Sequence, residues 1–230
     1  MGKGGTTTQP GDFDLWLLAQ SWSPQFCCTN AERCSTVPWA FAARHLSLHG
    51  LWPGFSVPRG GETFPSNCAA KAQLVHEAMP REFVDIAPAF ATWNAEARRA
   101  EVGGLAKHEW KKHGTCSGLR PDGYWNEVLR AFKQLPGDRG TPQLLTNSVG
   151  ASVDAAALRS AYSRRVAVRA DRMCQLSEVT SCFAKQPDGS VGPQVDCPAH
   201  VMKGRDSPEC ATFRITQLGQ CMAVAKKKGR

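Results

Sequence analysis

The sequence predicts a single α+β domain, and three observations carry that prediction. Strand-like and helix-like stretches are mixed along the chain without the regular βαβ alternation of a parallel sheet. No internal repeat or long linker divides the 230 residues, which suffice for one sizeable core. Ten cysteines, even in number and spread from Cys27 to Cys221, imply a fold stapled by disulfides.

In chain order, residues 1–10 form a polar segment expected to be flexible, and the domain is expected to span 11–225. Residues 12–20 (DFDLWLLAQ) are mainly apolar with a polar residue at each end, which predicts a buried strand. The stretch 21–39 carries two prolines, an asparagine and three cysteines and reads as a loop. Residues 45–49 (HLSLH) alternate polar and apolar, as a half-buried strand does, and are expected to stop at Gly50-Leu51-Trp52-Pro53. Residues 71–79 look helical, and 107–113 look like a second helix ended by Gly114. Further helices are predicted over 124–134 and 153–163. Strands are predicted over 164–169, 172–183 and 190–197, with Pro187-Asp188-Gly189 as a turn. Residues 226–230 are a basic tail.

Composition narrows the class. With 42% hydrophobic and 21% charged residues the chain is ordinary globular material. No apolar run approaches the roughly 20 residues of a membrane-spanning helix. The formal charge is +8, but Lys226-Lys227-Lys228-Gly229-Arg230 carries +4 of it. The body is therefore mildly basic, and charge alone argues weakly for a polyanionic partner. The cysteines contain no C-x-x-C pair, which disfavours zinc-ribbon and thioredoxin readings. Disulfides point to an oxidising compartment: secreted, or the lumen of a lysosome or vacuole. The first ten residues lack the apolar stretch of a secretory signal, though Gly2 and Thr6 fit the loose myristoylation pattern. A cytosolic lipid anchor conflicts with ten cysteines, so a chain trimmed of its leader is preferred. No Asn-x-Ser/Thr sequon occurs, and N-glycosylation is not expected.

Two segments carry chemistry: His49-Gly50-Leu51-Trp52-Pro53, and His108-Glu109-Trp110-Lys111-Lys112-His113-Gly114-Thr115-Cys116. The second invites a zinc-protease reading, which requires histidines at i and i+4. Here they stand at i and i+5, a rotation of about 500°, leaving the imidazoles about 140° apart, and no metal is expected. The same arithmetic groups Glu109 with His113, and His108 with Lys112, on one helical stripe, while Trp110 and Lys111 point elsewhere. A carboxylate, an ammonium and two imidazoles on one face suit a phosphate-handling site; the plain alternative is a solvated face with a Glu–Lys pair.

Together the two segments resemble the paired active-site motifs of the ribonuclease T2 family. GDFDLWLLAQSW is similar to its opening strand, ETFPSNC to the stretch supplying a disulfide partner, and CFAKQPDGSVGPQVDCP to its C-terminal hairpin. The resemblance covers roughly residues 11–213. It implies a central, mainly antiparallel sheet flanked by helices, an RNA substrate, no cofactor and no metal, and cleavage through a 2′,3′-cyclic phosphate. It implies His113 as general base, His49 as general acid, Lys112 and Glu109 as transition-state stabilisers and His108 as a phosphate holder. A bell-shaped pH–rate profile follows from such a pair. Trp52 then either walls the substrate near the first base or is simply core. Gln20 lies where the family's first-strand glutamine helps form the second base site. Two departures bear on base preference: Gly54 follows the proline where relatives often carry an acidic or amide residue, and Leu105-Ala106-Lys107 precedes the second motif where an aromatic pair is frequent.

The resemblance further implies the disulfides Cys68–Cys116, Cys182–Cys197 and Cys174–Cys210. Cys27 with Cys34 is the local loop and Cys28 with Cys221 the remaining pair, although the adjacent Cys27 and Cys28 could exchange partners. A monomer is the default expectation. Two other readings stay open: a metal-dependent nuclease or protease, and a family member without activity that serves as an RNA-binding, storage or signalling protein.

Overall fold

The computed structural model describes residues 9–30, 34, 39–68, 79–87 and 89–221. Apart from Met79, the helix expected over 71–79 lies outside these residues, as do 1–8 and the basic tail. The first half of the chain forms β1 (Leu15–Ser21), α1 (Ser23–Thr29), α2 (Trp39–Ala42), β2 (Ser47–Gly54), α3 (Phe83–Ile86), β3 (Ala91–Asn94), β4 (Arg99–Val102) and α4 (Gly104–Lys112). The second half forms α5 (Pro121–Phe132), α6 (Gln143–Thr146), β5 (Ser152–Asp154), α7 (Ala155–Ser160), β6 (Ala167–Ala170), β7 (Leu176–Lys185), β8 (Val191–Val195), α8 (Ala199–Arg205) and β9 (Thr212–Arg214).

The main sheet is antiparallel, in the order β2-β1-β7-β6, and β8 pairs with the later half of the β7 edge that β6 occupies earlier. β1 is central and covered on both faces. Trp16 and Leu18 enter a core with Trp110 of α4 and Tyr124 and Trp125 of α5. Leu15, Leu17 and Ala19 enter another, with Trp52, Cys182 and Val201. Double coverage is why this strand reads as one unbroken apolar run rather than an alternation. A third cluster, around Trp22, Leu158 and Phe213, packs below β6 and β7.

β2 departs from the expectation in a way that matters. The strand does not stop at Gly50 but runs through the whole HGLWP segment to Gly54. Its register with β1 shifts: Ala19 opposes Gly50 while Gln20 opposes Leu48, so His49 is the extra residue of a bulge. Regular alternation would put Leu48 and Trp52 on one face and His49 and Leu51 on the other. The bulge reverses this after His49. Leu48 and Leu51 both enter the large core, and His49 and Trp52 meet on the opposite face with ring centroids 5.2 Å apart.

Other elements also correct the sequence reading. The stretch 21–39, read as loop, contains α1, because Pro24 sits in the first helical turn where its missing N–H costs nothing. The helix expected over 153–163 begins only at Ala155; before it runs β5, whose Asp154 caps α7 by accepting from the Ala157 N–H at 2.8 Å. The β3–β4 hairpin and α8 were not expected, being too short for a periodic signal.

All five implied disulfides form: Cys27–Cys34, Cys28–Cys221, Cys68–Cys116, Cys174–Cys210 and Cys182–Cys197. Cys68–Cys116 ties the loop after β2 to the turn ending α4, and Cys182–Cys197 joins β7 to the segment leading into α8. Such bonds fit an oxidising compartment. Among the described residues no helix is long and apolar enough to cross a membrane.

Candidate active site

β2 and α4 bring the two motifs to one cavity of about 360 Å³. Its wall includes His49 and Trp52 from the first motif and His108, Glu109, Lys112 and His113 from the second. The three α4 residues and the C-cap His113 thus line one cavity as the helical spacing predicts, while Trp110 turns into the large core. His113 is the C-cap residue, its backbone N–H still bonded to the Glu109 carbonyl at 2.9 Å, and it lines the same cavity as His108. A second, larger cavity of about 800 Å³ adjoins the first and shares His49, His108, Glu109, Arg169 and Glu178 with it.

The two inner histidines sit in opposite surroundings. His113 is buried, flanked by Trp52 at 5.2 Å and Phe64 at 6.0 Å between ring centroids. Its Nδ1 is buried without a hydrogen-bond partner. Burial first, and then the positive charges of Lys112, His108, Arg205 and His49, push its pKa down to about 3. It is therefore a neutral imidazole across the ordinary working range.

His49 faces carboxylates instead. Burial is the largest single influence and works to lower its pKa, but the hydrogen bond and charge of Glu178, with the charge of Glu109, outweigh it and raise the value. Its Nδ1 lies 2.8 Å from Glu178 Oε2, and its Nε2 is 4.0 Å from Glu109 Oε1. Because a carboxylate only accepts, Nδ1 carries the hydrogen.

Glu109 is 2% exposed, and burial pushes its pKa up, opposed by the Trp52 N–H and the charges of His49, His108 and Lys112. Trp52 Nε1 donates to Glu109 Oε2. Only 6% of Trp52 is exposed, and the Arg205 guanidinium covers its ring, with Cζ 4.3 Å from the centroid. The tryptophan is thus both part of the β1-facing cluster and the donor that fixes Glu109.

Gln20 is not brought to the site. Its side chain is buried, donates to the Gly140 carbonyl at 3.0 Å, and lines neither cavity. Period-2 alternation explains this: Gln20 shares the face of Trp16 and Leu18, away from Leu17 and Trp52. Ser21, Gln25 and Ser47 line the larger cavity instead. The residues that motif reading missed are Glu178 on β7, Arg205 and His200 on α8, Arg169 on β6 and the 40%-exposed Phe64. Among the described residues no group of three or more His, Cys, Asp or Glu side chains is placed to hold a metal ion.

Fold and site define a disulfide-bonded α+β protein whose cavity gathers imidazoles, carboxylates and basic side chains on one wall. Residues 13–197 match the model of the ribonuclease T2 family, and the chain belongs to that family. A "Ribonuclease" of Aeromonas hydrophila is 33% identical over 136 residues, which cover 56% of this chain and 50% of the relative. Ribonuclease I of Escherichia coli is 27% identical over 178 residues, 68% of this chain and 66% of the relative. The chain spans about half the length of the first of these. Trichomaglin, described as an S-like ribonuclease, shares the fold with a TM-score of 0.60 at 20% identity, covering 91% of this chain and all of that one. A point mutant of RNase MC1 crystallised with 5′-UMP does so with a TM-score of 0.55 at 21% identity, over 88% of this chain and 98% of that one.

Proposed function

We propose that this chain is an endoribonuclease that cleaves single-stranded RNA by transesterification without a metal. The single observation that carries this reading is the opposed environment of two imidazoles on one cavity: His113 buried between Trp52 and Phe64 with Nδ1 unpartnered, and His49 hydrogen-bonded to the Glu178 carboxylate. A ribose 2′-hydroxyl needs a base to attack phosphorus, and the departing 5′-oxygen needs an acid. His113 takes the 2′-hydroxyl proton as the O2′–P bond forms; His49 Nε2 gives a proton to O5′ as the P–O5′ bond breaks. The product is a 2′,3′-cyclic phosphate and a free 5′-hydroxyl. Lys112 and His108 face the charge that accumulates on the phosphoryl oxygens, a preorganised electrostatic role. Glu109, fixed by Trp52, sits 4.0 Å from His49 Nε2 and orders that side of the cavity. The larger cavity beside His49 and His108 gives the flanking nucleotide room. Five disulfides support action in a secreted or lysosomal/vacuolar setting, and the proposed working unit is a monomer.

The test is digestion of a defined RNA in excess EDTA with end-group analysis. Cyclic 2′,3′ ends from the parent, lost in both His49→Ala and His113→Ala, support the reading. Activity abolished by EDTA contradicts it, and RNA binding without cleavage favours a protein repurposed for binding.

A further inference from the structure

Glu178 and Arg205 belong to neither motif, yet they meet the acid side of the site. Glu178 lies on β7, opposite Ser21 of β1, two strands away from His49. Neighbouring strands are about 4.8 Å apart, so its carboxylate must cross roughly 10 Å of sheet to reach the imidazole. It can do so because β1 carries only small side chains, Ala19 and Ser21, at the crossing, and because His49, next to core-facing Leu48, points to that same face. The carboxylate is almost fully used. Oε2 holds His49 Nδ1 at 2.8 Å, and Oε1 accepts from Arg205 Nη1 at 3.0 Å. Arg205, at the end of α8, stacks its guanidinium on Trp52 at 4.3 Å, and Trp52 in turn holds Glu109.

We infer that Glu178, locked by Arg205, is the positioning residue of His49. It claims Nδ1–H, so that Nε2 alone points at the cavity, and its negative charge keeps the ring in the form that can donate. The charged groups facing this pair are Glu109 from α4, Arg169 from β6 and Arg205 from α8, and His108 and Lys112 of α4 line the same cavity. Burial, the largest single influence, works to raise the Glu178 pKa, but the hydrogen bond and charge of His49, followed by the charges of Arg205 and Arg169, outweigh it and hold the value below the ordinary one. A carboxylate that stays ionised is what a histidine needs from such a partner. The inference rests on His49 being the general acid.

The experiment compares the parent, Glu178→Gln, Glu178→Asp, Arg205→Met and His49→Ala on two substrates. One is a dinucleotide; the other is a nucleoside 3′-aryl phosphodiester, whose leaving group departs without a proton. Glu178→Gln should lower kcat on the dinucleotide about ten- to hundredfold, part of the roughly 10²–10⁴-fold a positioned acid supplies. KM should change little, the alkaline limb of the pH–rate profile should move to lower pH, and the aryl substrate should be largely spared. Glu178→Asp should recover part of the loss, and Arg205→Met should fall between parent and Glu178→Gln. Equal losses on both substrates with an unmoved alkaline limb would make Glu178 merely structural and overturn the inference. If His49→Ala itself spares the dinucleotide, the general-acid reading is what fails. Should Glu178→Gln not fold, ¹⁵N imidazole shifts of His49 in the parent decide: a hydrogen-bonded Nδ1–H is expected, and an Nε2–H neutral tautomer contradicts it.

Discussion

Replacing Gly50 by alanine puts one methyl group into the narrowest part of the site. Its Cβ would press on Glu109 Oε2, 2.5 Å from Trp52 Nε1 and 3.0 Å from Glu109 Cδ. Neither neighbour has room to yield: Glu109 is 2% and Trp52 6% exposed, and they are hydrogen-bonded to each other. Ordinary contact begins near 3.4 Å, so the indole nitrogen must retreat by roughly 1 Å. Overpacking of this kind costs about 1–3 kcal/mol. In a chain of 230 residues each kcal/mol lowers Tm by about 2–4 °C, so a fall of about 2–12 °C is expected. A displacement of about 1 Å among catalytic groups costs about a hundredfold in rate. Circular-dichroism melting and steady-state cleavage of a dinucleotide measure both quantities. Gly123→Ala in α5 serves as the control, because its Cβ meets only Leu119 at 3.8 Å and should stabilise slightly. Parent-like Tm and kcat for Gly50→Ala would refute the packing argument.

Four further outcomes follow from the same geometry. The rate should rise as pH passes about 3, where His113 loses its proton, and fall only above 6.5, where His49 loses its own, so substantial cleavage at about pH 4 is expected in a pH–rate series. Stability follows the same groups with opposite signs. As pH falls from 6.5 toward 3 the unfolded chain takes up a proton at His113 that the folded chain refuses, whereas His49 contributes fully below 6.5 and loses its contribution as pH rises through its raised pKa. His113→Gln should therefore lose less Tm than the parent between pH 7 and about 4; an equal loss would contradict the burial argument. Trp52→Phe removes the N–H donor to Glu109 and should cost about 1.5–3 kcal/mol in chemical denaturation, and an unchanged midpoint would deny that bond a role. Cys68→Ser with Cys116→Ser opens a loop of sequence separation 48 and should cost about 2–4 kcal/mol, with loss of activity, by the same assays.

How much of this was legible in the sequence depends on the range of the interaction. The helical stripe of His108, Glu109, Lys112 and His113 follows from local spacing, and the structure keeps it. The buried strand at β1 was legible because both of its faces are apolar. The bulge at His49 was not, since one extra residue against β1 leaves no mark in the composition of β2. Glu178 was hidden for a related reason: it is one carboxylate in a strand, 129 residues from its partner, and only sheet order joins them. Arg205 lies at the end of a seven-residue helix too short to show periodicity. Gln20 shows the converse. The resemblance suggested a base contact, but strand alternation places its side chain on the core face.

The central claim is that one cavity divides two histidines into a neutral base and a charged acid. Site-resolved NMR titration of the imidazoles in the unliganded protein tests it most directly. The account predicts that His113 stays neutral from pH 7 down to about 4 while His49 remains protonated past 6.5. His113 protonated with His49 neutral near pH 6 would contradict it.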